Sequence, residues 1–204
     1  MFTENVATRR AYRLNRRAQR REETRQRIVQ ATFELHRTLG PARTTISAIA
    51  ERAGVQRLTV YRHFPDELSL FRACAGLSLE LNPPPDPAPW RAIGDPEARL
   101  RAALAALYAY YAENDSLLVN VRRDAELIPV LRQVQAERTA AYFAEVGTTL
   151  AAGWEAHNTG VLRAALAHAL DFGTWHSLVR QQRLTDEQAV ELMVAMVRCG
   201  TGSG

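Results

Sequence analysis

The stretch TTISAIAERAGVQRLTVYRHFP, residues 44–65, decides how this chain is read. Thr45 is an N-cap residue type, able to satisfy an orphan amide of a following helix. Ile46, Ile49, Ala50 and Ala53 then recur at i, i+3, i+4 and i+7, the inward stripe of a short helix. Ala50 is small where a second helix must cross closely. Gly54 supplies a positive-φ stop at little cost. Val55 plugs the corner, and Val60 and Phe64 form the inward face of the next helix. Two short helices crossing through a glycine turn make a helix-turn-helix. With Val60 and Phe64 inward, Gln56, Arg57, Thr59, Tyr61, Arg62 and His63 are left outward, and nearly all of them donate hydrogen bonds.

The N-terminal end of such a second helix enters the major groove, so Gln56, Arg57 and Thr59 are candidates for reading bases. Arg57 suits guanine, and Leu58 suits a thymine methyl. Tyr61 and His63 suit phosphate oxygens, as does Thr45 at the start of the preceding helix. A solvated face on a structural helical hairpin is the alternative. Charge argues against it. Residues 1–72 hold fifteen arginines against seven carboxylates, a formal +8, while the remainder holds eleven against fifteen, a formal −4. A basic head on an acidic body points to a polyanion touching one end only.

Nine arginines fall between residues 9 and 27. Residues 1–19 are expected to form a flexible Arg-rich arm, either following phosphates, entering an adjacent minor groove or serving as a solubilising tail. All 26 basic residues are arginine. Hydrophobic residues make up 47% and charged residues 24% of 204, an ordinary globular balance. Cys74 and Cys199 form no CxxC pair and suit a reducing cytoplasm. No apolar segment follows the N-terminal arginines as in a secretory signal. The apolar run AALAALYAYYA, residues 102–112, is too short to span a bilayer. No membrane partner is expected. Asn114-Asp115-Ser116 matches a glycosylation sequon and is read as chance.

The whole chain reads as all-α, without a convincing period-two segment. A first firm helix starts at Arg20 and stops at Gly40-Pro41. NPPPDPAPW, residues 82–90, is a connector. Helix resumes at Asp95-Pro96, and Asp115 or Ser116 is expected to cap a further one. Pro129 opens a long helix, VLRAALAHALDFGTWHSLVRQQ forms another, Thr185 caps the last, and the closing GTGSG frays. Domain boundaries are expected near 20–70 for the head and 71–200 for the body.

Enzyme signatures are missing: no GxSxG, P-loop, GxGxxG after a strand or HExxH occurs. His168 and His176 are eight residues apart on one helix, roughly 12 Å along its axis, too far to share a metal. His168 and Asp171 are a hydrogen-bonded pair more naturally than a metal site. No catalytic residue, metal or cofactor is expected.

Here the stretch TTISAIAERAGVQRLTVYRHFPDELSLFRA resembles the DNA-binding segment of TetR-family transcriptional regulators. Matching features are the threonine before the apolar pair, Ile49-Ala50, Ala53-Gly54-Val55, Thr59-Val60-Tyr61 and His63-Phe64-Pro65. The body is similar to one branch of the same family, through LYAYYAENDSLLVNVRRDAEL and HALDFGTWHSLVRQQRLTDEQAVELMVAMV. The resemblance implies an N-terminal three-helix helix-turn-helix domain with a C-terminal helical domain for effector binding and dimerisation. It implies a homodimer, a double-stranded operator, a small-molecule effector and a role usually repressive. By position it assigns phosphate contacts to Thr45, Tyr61 and His63, and places Ser47, Ala48, Arg57, Leu58 and Thr59 toward bases. Two residues depart from the pattern. Leu58 stands where Gly, Ala or Pro is usual, leaving base preference open. Glu67 stands where a phosphate-touching lysine is common, removing one contact and adding a repulsive charge.

In this family the last two long helices pair with a second subunit. Ala164, Ala165, Ala167, Ala169 and Gly173 allow close approach, and Val190, Met193, Val194 and Val197 form a stripe that suits such pairing or burial within one chain. Tyr108, Tyr111, Asn120, Phe143, Phe172, Trp175 and His176 are the candidate effector lining, although aromatic residues at helical spacing more often serve as core. The rival readings are a nonspecific DNA binder relying on the arm and a ligand-binding dimer that has lost its DNA.

Overall fold

A computed structural model describes residues 3–201, with side chains at Tyr12 and from residue 15 onward. Every regular element among the described residues is helical. Helix α1 spans Thr3–Thr38, α2 Ile46–Arg52, α3 Arg57–His63 and α4 Glu67–Leu81. Next come α5 (Ala88–Arg91), α6 (Pro96–Ala125) and α7 (Pro129–Ala151). The chain closes with α8 (Thr159–Leu170), α9 (Phe172–Trp175), a π-helix over His176–Gln181 and α10 (Asp186–Gly200). Two compact units emerge: residues up to Leu81 with Asn120–Val134, and Asn82–Val119 with the residues from Gln135 onward.

The first unit is built on α1, against which α2 and α4 pack. Ile28, Leu35, Ile49, Ala50, Val60, Phe64 and Leu70 make its core. Residues 1–19 were expected to be an arm, but the described backbone is helical from Thr3. The segment contains neither Gly nor Pro, and arginine is a good helix former, so nothing in it breaks the helix. The side chains of Arg9, Arg10 and Arg13 lie outside the described residues, as does the expected fraying at 202–204.

The C-terminus of α1 is closed by Gly40, at φ 92°, whose amide donates to the Leu35 and His36 carbonyls. Asn120 Nδ2 donates to the Arg37 carbonyl at 2.9 Å and the His36 carbonyl at 3.3 Å, satisfying groups that a helix end leaves open. Asp124, with 1% of its side chain exposed, accepts the Ala42 amide at 2.9 Å and Arg123 Nε at 2.7 Å. Burial alone would raise its pKa, but these bonds outweigh burial and hold the carboxyl below its ordinary value. His36 is buried, stacks on Phe71 at 5.5 Å and lies 3.5 Å from Cys74 Sγ through Nδ1. Burial pushes its pKa down to about 4 against the opposing pull of Asp124.

In the second unit Asp95 Oδ2 accepts the Ala98 amide, the expected cap before Pro96. The core gathers Trp90, Leu100, Leu104, Tyr108, Leu166, Trp175 and Val194. Buried Arg99 is satisfied by the carbonyls of Ile93, Gly94, Thr149 and Ala152. Three expectations need correction. No helix starts at Asp115 or Ser116, because α6 runs through both and Asp115 Oδ2 instead accepts Arg180 Nε at 2.7 Å. The helix expected through residues 161–182 breaks at Asp171, which is extended at ψ 132° and caps α9 through the Gly173 amide. The freed Ala169 and Leu170 carbonyls accept the hydroxyls of Tyr108 and Tyr111, at 2.9 and 2.6 Å. Lastly, the α10 stripe of Val190, Met193, Val194 and Val197 lies inside this chain's own core, 0–5% exposed, and is not free for a partner. Asn114 is also buried, its amide donating to the Tyr110 carbonyl.

Candidate functional site

Sequence and geometry agree closely over residues 45–64. Thr45 is the N-cap of α2, its hydroxyl accepting the Ala48 amide at 3.1 Å. Gly54 sits at φ 64° and the Val55 amide closes on the Ala50 carbonyl at 2.9 Å. This turn lets α2 and α3 pack on each other through Ile49, Ala50, Ala53, Val60 and Phe64, all buried. Burying those five drives the opposite face of α3 outward. Gln56, Arg57, Leu58, Tyr61 and Arg62 are exposed, with Thr59 and His63 half-buried. Leu58 is 58% and Tyr61 46% exposed, far more than a packing role requires. Gln56 occupies the α3 N-cap position without using its side chain as a cap, leaving its amide group for other partners. On α2, Ser47 is exposed and Ala48 half-buried.

Two basic residues join this face that the sequence reading leaves in the arm region and the start of α1. The Arg25 guanidinium lies over the Phe64 ring at 5.2 Å. Partial burial lowers the His63 pKa, and the charges of Arg21 and Arg25 lower it further, against a weaker pull from Glu22. Both causes favour the neutral imidazole, which has one N–H to donate. The signal was available: Arg21 and Arg25 precede Ile28 and Thr32 at three- and four-residue steps, on one face of α1.

Comparison with known proteins shows what this segment is similar to. Residues 28–74 match the family described as bacterial regulatory proteins, tetR family. The HTH-type transcriptional regulator SrpR of Pseudomonas putida is 41% identical over 68 residues, covering 32% of each chain. Residues 28–74 therefore carry the DNA-binding segment of the tetR family. Solved TetR-family structures share its fold at lower identity. A TetR transcription regulator from Haloarcula marismortui is 20% identical, covering 89% of this chain and 98% of its own, with a TM-score of 0.60. A transcriptional regulator from a Rhodococcus species is 19% identical, covering 88% and 98%, with a TM-score of 0.63. The matched sequence is the helix-turn-helix segment, residues 28–74, and the chain spans 32% of the length of the curated relative.

Glu67, the departure from the TetR pattern, is exposed in the first turn of α4 next to Asp66. Asp66 caps that helix, its Oδ1 accepting the Ser69 amide at 2.7 Å. Two carboxylates at a helix N-terminus favour the helix itself, which gives Glu67 a role in stability.

Of the candidate effector residues, the second unit brings together Tyr108, Tyr111, Phe172, Trp175 and His176. Tyr111 meets Phe172 edge-on at 5.5 Å, and Phe172 lies 5.5 Å from Trp175 and 5.7 Å from His176. Burial first, and nearby carboxylates next, raise the Tyr108 pKa; burial is also the leading cause for Tyr111. Both hydroxyls are committed to backbone carbonyls, so only their rings are left to meet a ligand. Phe143 pairs with Tyr142 at 5.2 Å and packs on the edge of the same core. Asn120 does not join them: it belongs to the first unit and caps α1. Among the described residues no group of three or more His, Cys, Asp or Glu is placed to hold a metal, and no helix is long and apolar enough to cross a membrane.

Proposed function

We propose that this chain is a dimeric repressor that inserts α3 into the major groove of a palindromic operator and is released by a small-molecule effector. The carrying observation is the division of α3, with Val60 0% exposed while Leu58 and Tyr61 stand 58% and 46% exposed beside Arg57 and Arg62. Gln56, Arg57, Leu58 and Thr59 read base edges, with Ser47 and Ala48 alongside. Thr45, Tyr61 and His63 hold phosphates, and Arg62 adds charge. Residues 20–70 act as the DNA-binding head and 71–200 as the effector-binding and dimerisation body. Arg16, Arg17 and Arg20 on α1, with Arg21 and Arg25, extend the phosphate contacts.

The dimer uses the outward face of α8 and α10. Ala164 and Ala167 are exposed there, with Val161 and Leu192 each 45% exposed. Two heads then read half-sites one helical turn or a multiple apart. An effector needs about 1–3 kcal/mol of coupling to relieve repression several- to a hundredfold.

Selection of bound sequences from a random duplex library at physiological salt tests this reading. A palindrome bound about a thousandfold or more above random DNA is the expected result. Binding without enrichment would replace it with a nonspecific role for the basic helix. No binding would leave a DNA-silent dimer and turn attention to Glu67 and the body.

A further inference from the structure

The π-helix at His176–Gln181 interrupts an otherwise α-helical body, and such interruptions recur at functional sites. Its effect here is specific. A π-helix closes its hydrogen bonds over five residues and turns less per residue, which brings Arg180 nearer to Trp175 than an α-helical continuation, which would turn it about 140° away. The wider turn seats the Arg180 guanidinium over the Trp175 ring, 4.8 Å from its centroid.

The surroundings of that guanidinium are those of a cation receptor. Asp115 Oδ2 accepts Arg180 Nε at 2.7 Å. The other oxygen, Oδ1, is buried and finds no hydrogen-bond partner among the described residues. A buried carboxylate oxygen left unbonded is costly, so this one is short of a donor. The Trp175 indole N–H donates to Asp186 Oδ1 at 2.8 Å, which polarises the ring and strengthens its electron-rich face. Phe172 and His176 flank Trp175 at 5.5 and 6.4 Å between ring centroids. Arg180 itself is on the surface, its side chain 41% exposed, so it can leave without unpacking the core.

We propose that Asp115, Trp175, Phe172 and His176 form a site for an organic cation with N–H donors on an apolar body, and that Arg180 occupies it as an internal stand-in. The ligand class is an amidinium, guanidinium or protonated amine. Its charge replaces Arg180 over Trp175, and a second N–H reaches the Asp115 oxygen that Arg180 leaves unbonded. The cation displaces Arg180 without covalent change. This names the ligand class of the body site in the repressor reading and rests on that reading for its consequence at DNA.

The test uses the full chain and three probes of one shape: benzamidinium, neutral benzamide and anionic benzoate, with binding followed by calorimetry. Arg180→Ala should bind benzamidinium roughly tenfold more tightly than the parent, the scale of a desolvated cation over an indole. Asp115→Asn in the Arg180→Ala background should remove that gain. Benzamide and benzoate should show neither effect. In the unaltered chain, benzamidinium should shift the Trp175 indole N–H resonance, identified by sequential resonance assignment of that chain, so the inference does not depend on the variants folding. Equal or tighter binding of benzoate, or an unmoved indole resonance at saturating benzamidinium, would overturn it. Measured with the selected operator, the outcomes separate. If the cation binds as expected and DNA affinity stays unchanged, the site stands and its part in release fails. If no cation binds while another class of compound releases DNA, the cation site fails and the repressor reading stands.

Discussion

Replacing Gly40 by alanine should destabilise the DNA-binding unit far more than the same change at Gly54. Gly54 lies at φ 64°, and a methyl group there would find Arg27 Nη1 at 3.8 Å as its nearest neighbour. Its cost is backbone strain alone, about 1–2 kcal/mol. Gly40 lies at φ 92° and ψ 155°, a region open almost only to glycine and costing roughly 1–3 kcal/mol for other residues. Its methyl group would also stand 2.6 Å from Asp124 Oδ2 and against the Arg123 guanidinium. Arg123 can swing into solvent, since its side chain is 46% exposed, but Asp124 at 1% cannot move without releasing the Ala42 amide. Losing that charge-assisted bond adds about 1.5–3 kcal/mol. Gly40→Ala should therefore cost about 3–5 kcal/mol, roughly 2 more than Gly54→Ala. Urea denaturation of both variants followed by circular dichroism gives the difference, and hydrogen exchange at Ala42 reports the broken bond. Equal destabilisation, or unchanged protection of the Ala42 amide, would refute the reasoning.

Acid should weaken the same unit through His36. Its folded pKa, about 4, lies below the ordinary 6.5, so the unfolded chain takes up the proton first and stability is lost as pH falls from 6.5 toward 4. The loss is on the order of 3 kcal/mol, and His36→Leu should flatten that part of a pH series of urea midpoints. Glu67→Lys should tighten operator binding and steepen its salt dependence by about one unit of slope, measured by titration at several salt concentrations. Met193→Ala should destabilise the fold by about 2–5 kcal/mol at any protein concentration, because that side chain fills its own chain's core. Leu192→Glu should leave the fold intact and shift sedimentation toward monomer.

The helix-turn-helix was legible because every determinant is local: a cap at Thr45, a positive φ at Gly54 and apolar residues at helical spacing. The beginning of α1 was not, because its expected signal is an apolar face and residues 1–19 offer five arginines and no regular apolar stripe. Asp115-Ser116 imitated a helix start, since capping residues look alike whether their carboxylate meets an amide or a distant guanidinium such as Arg180. The break at Asp171 depends on Tyr108 and Tyr111 reaching carbonyls some sixty positions away, which no local window contains. The α10 stripe shows a further limit. Apolar spacing establishes that Val190, Met193, Val194 and Val197 must be covered but is silent on whether their cover is the same chain or another. Asn120 fell out of the aromatic group for a similar reason, its partners lying at the end of α1.

The two cysteines divide unequally between shelter and solvent, with Cys74 buried beside His36 and Cys199 exposed on α10. In the separate chain a thiol reagent therefore meets one site at once and the other only when the first unit opens. Cys199 registers that reagent is present, and Cys74 keeps time. The lag between the two modifications becomes a stopwatch for transient opening around α1 and α4, readable by mass without labelling or engineering the chain. Run with and without operator DNA, the same stopwatch would show whether gripping DNA holds that unit shut.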